Sequence, residues 1–273
     1  MPDLDRKLPK WLEDKSRSVR LGPDVPALLC HPDWDSKAPV VLWMHGRTAY
    51  KELDPGRYSR WLRAGIAACS IDLPGHGERF DESFQGPRRS LETIDRARRE
   101  VDQVLRSLFD EFGDHFDADR VAIGGMSLGG MVSLRRLCDD HFFRCAAVEG
   151  TTGRLAELYH PPMTNGSSDR AEPWPVDHDP AEIAVQDPSQ NLDKFEPLPM
   201  LFLHSEADQM VPWTTQERFI GDLRGHFGDR ADLIEVQTWP ETGAPEEHIG
   251  FGKHANEAKT RQTEFFARHL LGD

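Results

Sequence analysis

Only four cysteines occur in 273 residues, Cys30, Cys69, Cys138 and Cys145, and they stand far apart. Such spacing offers neither a CxxC metal site nor a disulfide framework, and each lies in or beside an apolar stretch where a free buried thiol fits. No apolar run approaches the roughly 18 residues a membrane-spanning helix requires, and Met1 to Lys10 lacks the hydrophobic stretch of a secretory leader. The expectation is a cytoplasmic chain without a membrane partner. Positive charge is scarce too: 33 Lys and Arg stand against 47 Asp and Glu, a formal net charge of −14. Nucleic-acid binding draws its affinity from clustered basic residues, so no nucleic-acid partner is expected. The basic pairs at Arg88-Arg89 and within Arg96 to Arg99 are interleaved with acids, as on a solvated helix face. No GxGxxG follows a strand-like run, and neither a GxxxxGK[ST] loop nor an HExxH pair occurs. No cofactor and no metal is expected.

What is present is a core. Apolar residues make up 38% and charged residues 29%, a balance suited to a globular protein, and the length fits one α/β domain over 1–273. Short apolar runs recur at Val25 to Cys30, Val40 to Met44, Ile66 to Ile71, Val121 to Gly125, Cys145 to Val148, Met200 to His204 and Leu233 to Thr238. Longer amphipathic stretches separate them: Thr93 to Phe112 above all, then Leu128 to Cys138, Thr214 to Leu223 and Ala255 to Leu270. That alternation predicts a largely parallel sheet covered by helices. Ser18 to Leu21, joined to the first run through Gly22-Pro23-Asp24, predicts an antiparallel hairpin feeding it. The segment 154–199 breaks the pattern, with Pro161, Pro162, Pro173, Pro175, Pro180, Pro188, Pro197 and Pro199 and an Asn-Gly-Ser-Ser stretch at 165–168. Its prolines forbid a long helix, and its place between two strands suggests a lid.

Four motifs carry chemistry. Gly125-Met126-Ser127-Leu128-Gly129 follows an apolar run and precedes a helical pattern, the setting of a nucleophile elbow in which Ser127 sits on a strained turn with its hydroxyl exposed. His45-Gly46-Arg47-Thr48 follows the run ending at Met44 and can present a backbone N–H to an oxyanion beside that of Leu128, which assigns the two donors to Arg47 and Leu128. His45 itself fits a brace for this loop better than a base. Leu201 to Pro212 reads as a strand ending in a turn that holds Asp208, the acid of choice, with Glu206 and Glu149 as alternatives. A histidine late in the chain must serve as base: His248 in the last loop, His254 at the start of the final helix, or His269 within it. The loop position favours His248.

In this order the motifs resemble the α/β-hydrolase superfamily from about Val25 to Leu271. Asp72-Leu-Pro-Gly-His-Gly-Glu-Arg79 and His204 to Pro212 resemble its dienelactone-hydrolase and prolyl-oligopeptidase-like branch. The resemblance implies an eight-stranded, mostly parallel sheet with helices on both faces, the set Ser127, Asp208 and His248, and the Arg47 and Leu128 oxyanion donors. Dienelactone hydrolases carry cysteine where this chain has Ser127, and oligopeptidases add an N-terminal propeller for which no sequence exists here.

The activity these readings imply is hydrolysis of a small-molecule acyl substrate, a carboxylic ester first, with amides and thioesters open to the same residues. C–C bond hydrolysis, perhydrolysis and a ligand-binding protein without turnover are the other readings. Tyr159, Met163, Trp174 and Trp213 either line an acyl pocket or anchor the lid. Arg47, Glu78 and Arg79 either meet a polar substrate or bridge loops. Asp177-His178-Asp179 and His160 fit solvated residues better than a cation site. Nothing in the sequence sets an oligomeric state.

Overall fold

The computed structural model describes residues 8–161 and 174–272. One sheet takes the strand order β1-β2-β4-β3-β5-β6-β7-β8, from β1 (Ser16–Leu21), β2 (Val25–Cys30), β3 (Ala38–Met44), β4 (Ala67–Ile71), β5 (Phe116–Met126), β6 (Cys145–Glu149), β7 (Met200–Ser205) and β8 (Ile234–Trp239). The expected hairpin is present, with Leu21 opposite Val25 and Ser16 opposite Cys30. Its turn needs positive φ at Gly22 (55°) and Asp24 (71°), a conformation glycine adopts freely and aspartate tolerates. β2 also pairs antiparallel with β4, and all later pairings are parallel.

The helices are α1 (Lys10–Glu13), α2 (Pro55–Arg63), α3 (Ser90–Phe112), α4 (Leu128–Arg136), α5 (Ala156–Tyr159), α6 (Pro180–Gln186), α7 (Trp213–Phe227) and α8 (Ala255–Leu270). They divide between two cores. Strands buried on both faces read as continuous apolar runs, and successive side chains of β3 show why. Val40, Leu42 and Met44 pack with Ile94, Val101, Val132 and Phe219 beneath α3, α4 and α7, whereas Val41 and Trp43 pack with Tyr58, Trp61, Phe265 and Phe266 beneath α2 and α8. Trp61 anchors the second core, its ring set nearly edge-on to Trp43 and Phe266 with centroids 5.6 and 5.4 Å away, an arrangement favoured by the ring quadrupoles.

Boundaries move for tertiary reasons. α3 begins at Ser90 rather than Thr93, and Leu91 on that added turn joins the core. α7 continues beyond Leu223 to bury Phe227 before Gly228 ends it at φ 57°. β5 begins at Phe116 because Phe116 already pairs with Ala38, ahead of a register shift. Segment 154–199 is more ordered in its described parts than a bare loop. α5 and α6 are short, as the prolines require, and Pro180 occupies the first turn of α6, where a missing N–H costs nothing. Met163 and the 165–168 stretch lie outside the described residues.

The strand order reverses at β3, which has β4 on one side and β5 on the other. A crevice opens beyond the carboxyl ends of parallel strands at such a point. Met44, Met126, Glu149 and Ser205 end the strands there.

Candidate active site

Ser127 forms the turn between β5 and α4 with φ 51° and ψ −117°. That backbone is unfavourable for a residue with a side chain and persists where its surroundings over-determine it. The Ser127 N–H donates to the Glu149 carbonyl at 2.8 Å, and its own carbonyl accepts from the Met131 N–H at 2.9 Å and from Thr151 Oγ1 at 2.8 Å. The flanking glycines let three backbone segments cross. A Cβ on Gly125 would stand 2.4 Å from the Gly129 carbonyl carbon, and one on Gly129 would stand 2.1 Å from the Met44 carbonyl oxygen.

His248 Nε2 lies 2.8 Å from Ser127 Oγ, and His248 Nδ1 lies 2.7 Å from Asp208 Oδ2. An ionised carboxylate only accepts, so Nδ1 carries the proton in this pair and the Nε2 lone pair faces the serine hydroxyl. The second Asp208 oxygen accepts from the N–H groups of Met210 at 2.9 Å and Val211 at 2.8 Å. The sequence favours His248 as base over His254 and His269. In the structure His254 bonds Glu257 at 3.0 Å and stacks on Trp239, while His269 packs against Phe265 in α8. The alternative acids are also engaged elsewhere: Glu149 is gripped by Arg57, and exposed Glu206 accepts from Thr238 Oγ1 at 2.6 Å.

His45 is buried and braces the loop that carries Gly46 and Arg47. Its Nδ1 pairs with the Gly46 carbonyl at 2.7 Å and its Nε2 accepts from the Leu73 N–H at 3.2 Å. Burial pushes its pKa down to about 4. Next in the loop, a Cβ on Gly46 would lie 3.5 Å from Ser127 Cβ, so Arg47 follows one residue after that close approach to Ser127. Leu128 opens α4, where an N–H has no partner inside the helix. Among the described residues neither the Arg47 nor the Leu128 N–H has a backbone acceptor.

The aromatic residues divide. Trp174 touches both loops beside Ser127: Arg47 lies 4.7 Å over its ring, and its Nε1 is 3.4 Å from the Met210 carbonyl. Tyr159 packs edge-on against Trp174 at 5.4 Å, whereas Trp213 packs on His204 at 5.4 Å, behind Asp208. Glu78 and Arg79 bridge loops. Glu78 reaches the buried Lys51 at 2.6 Å and Arg79 reaches Glu100 at 2.6 Å. Asp179 caps α6, and among the described residues no group of His, Cys, Asp or Glu is placed to hold a metal ion.

Sequence reading missed three supports. Buried His204 donates from Nε2 to the Val211 carbonyl at 2.9 Å and stands 3.5 Å from Asp208 Oδ2. Thr151 holds the Ser127 carbonyl from 24 residues away, a separation that leaves no local sequence pattern. Glu247 latches the histidine loop. It accepts from the Thr242 N–H at 2.5 Å, Thr242 Oγ1 at 2.7 Å, Gly243 N–H at 2.7 Å and Ser205 Oγ at 2.9 Å, and these donors hold its carboxyl down to about 2. Only its place beside His248 hinted at that, since Ser205 is 42 residues away.

Known proteins resemble this chain in sequence and in fold. Esterase YjfP of Escherichia coli is 26% identical over 206 residues, 74% of this chain and 80% of that protein. The crystal structure of TT1662 from Thermus thermophilus superposes with a TM-score of 0.68 at 20% identity, covering 94% of this chain and 99% of that one. Acylaminoacyl peptidase of Pyrococcus horikoshii gives 0.70 at 17% identity, over 94% of this chain but 42% of the peptidase. These likenesses identify the sheet as the α/β-hydrolase fold. The prolyl oligopeptidase family profile matches residues 59–273. The chain belongs to the prolyl oligopeptidase family of serine hydrolases.

Proposed function

We propose that this chain is a carboxylic-ester hydrolase acting on small acyl substrates through an acyl-enzyme on Ser127. The observation that carries this reading is the unbroken chain of hydrogen bonds from Ser127 Oγ through His248 to Asp208, at 2.8 and 2.7 Å. His248 Nε2 takes the hydroxyl proton as Ser127 Oγ attacks the ester carbonyl, and the N–H groups of Arg47 and Leu128 hold the oxyanion. Collapse breaks the ester bond, and His248 returns the proton to the departing alkoxide. Water, deprotonated by the same nitrogen, then cleaves the acyl-enzyme and restores Ser127. Asp208 keeps the imidazole in the useful tautomer and stabilises its cation. This route draws on no metal or cofactor.

The choice of esters over amides follows the esterase similar to this chain. The family's name favours a peptidase as the second reading. Segment 154–199 acts as the lid, supported by Trp174 touching the loops on either side of Ser127. The four free, buried thiols fit a reducing compartment such as the cytoplasm.

Turnover of p-nitrophenyl butyrate beside an aminoacyl p-nitroanilide tests the assignment. The native chain should hydrolyse the ester with the larger kcat/KM, and Ser127→Ala should lose about 10⁴-fold or more. Full turnover by Ser127→Ala removes the reading, and a preference for the anilide replaces it with the peptidase.

A further inference from the structure

Acids outnumber bases here by 47 to 33, and the three buried arginines each meet a carboxylate: Arg57 meets Asp54 and Glu149, Arg135 meets Asp139, and Arg136 meets Asp102. Arg47, which is half-buried, does not. No carboxylate faces its guanidinium among the described residues. Nη2 donates to Ser90 Oγ at 2.6 Å, the flat face rests 4.7 Å over Trp174, and Nε is buried without an acceptor. Burial lowers its pKa, with only the Tyr159 phenol opposing. A desolvated cation lacking a counter-charge is unfavourable, and a guanidinium with an open N–H is shaped to receive a carboxylate.

A second donor with spare capacity stands beside it. The Tyr159 hydroxyl is buried, in a residue only 4% exposed, and its one polar neighbour is the Ser90 hydroxyl that Arg47 also uses, beyond a well-formed hydrogen bond. Burial pushes its pKa up to about 12, so it stays protonated and can donate. Two donors with unmet capacity, one cationic, thus pack against Trp174, Arg47 over its ring and Tyr159 at its edge.

We propose that Arg47 and Tyr159 form a specificity subsite for a carboxylate on the substrate, so that the preferred esters are half-esters of short dicarboxylic acids. This rests on the reading of Ser127 as nucleophile only for the position of the scissile bond. The negative charge is bound by the Arg47 side chain while the Arg47 backbone N–H serves the oxyanion.

Binding tests the subsite without turnover. In a Ser127→Ala background, monoethyl glutarate should bind roughly 10- to 100-fold tighter by calorimetry than its neutral primary amide, the range expected for hydrogen bonds to a charged group. Adding Arg47→Gln should erase that preference, Tyr159→Phe should shrink it, and Arg47→Lys should keep part of it, as a purely structural role would not. Equal binding of acid and amide overturns the proposal, as does a preference that survives Arg47→Gln; binding of inorganic phosphate but not of the half-ester overturns the carboxylate assignment. In the native chain, kcat/KM for the p-nitrophenyl half-ester of glutaric acid should exceed that for p-nitrophenyl pentanoate. A ratio near one overturns the subsite and leaves the hydrolase reading standing. Preferential binding without turnover of either ester leaves the subsite standing and removes the hydrolase.

Discussion

Arg57 holds Glu149 with two guanidinium nitrogens, 2.7 Å from Oε1 and 2.8 Å from Oε2, in the interior beneath the strand ends. The backbone carbonyl of the same glutamate accepts from the Ser127 N–H at 2.8 Å. Glu149 therefore supports the Ser127 turn from below and has no free carboxylate for His248. Gln262 of α8 completes the grip, donating to Oε1 at 2.8 Å.

Removing one member of that pair strands a buried charge. Arg57→Met should lower stability by about 3–5 kcal/mol in urea unfolding, and pairing it with Glu149→Leu and Gln262→Met should recover much of the loss, because replacing all three buried partners leaves no orphan. A cost for Arg57→Met under 1 kcal/mol would show the pair to be solvated.

Asp208 should behave as the acid. Asp208→Asn keeps an oxygen for the Met210 and Val211 N–H groups but can favour the wrong histidine tautomer, so kcat should fall by roughly 10³- to 10⁴-fold with KM little changed. Glu206→Gln, altering an exposed side chain bonded to Thr238, should leave kcat within about twofold. Steady-state kinetics on one ester compares them.

The bases separate in the same way. His248→Ala should cost several orders of magnitude in kcat, while His254→Ala, which removes a contact to Glu257 and Trp239, should cost little. Equal losses would contradict the assignment.

The acid side of the pH profile follows from His45. Its folded pKa, about 4, lies below its ordinary 6.5, so the unfolded chain binds the proton more readily. The stability held at neutral pH should fall as pH drops through 6.5 and go on falling until about 4, where the folded chain also protonates. Thermal midpoints measured between pH 7 and 4 should decline less steeply for His45→Gln than for the native chain. An identical slope would mean that His45 does not titrate on unfolding.

How much of this was legible depends on the range of each interaction. Ser127 was readable because its constraints are local: Gly125 and Gly129 flank it, and a strand and a helix adjoin it in sequence. Asp208 and His248 were readable as positions in an order of elements, since each ends or follows a strand at the same sheet edge. The Arg57 grip spans 92 residues and the Glu247 latch on Ser205 spans 42, and neither leaves a periodicity or a motif. Helix ends shifted for a related reason: Phe227 extends α7 because a core accepts it, which local propensity does not register.

The central claim is that Ser127 is the nucleophile, and labelling with a fluorophosphonate tests it most directly. One adduct per chain is expected, mapped by peptide mass spectrometry to Ser127, with labelling slowed by orders of magnitude in His248→Ala. No adduct on Ser127 in a chain that still hydrolyses esters, or an adduct on another residue that accounts for the activity lost, would contradict it.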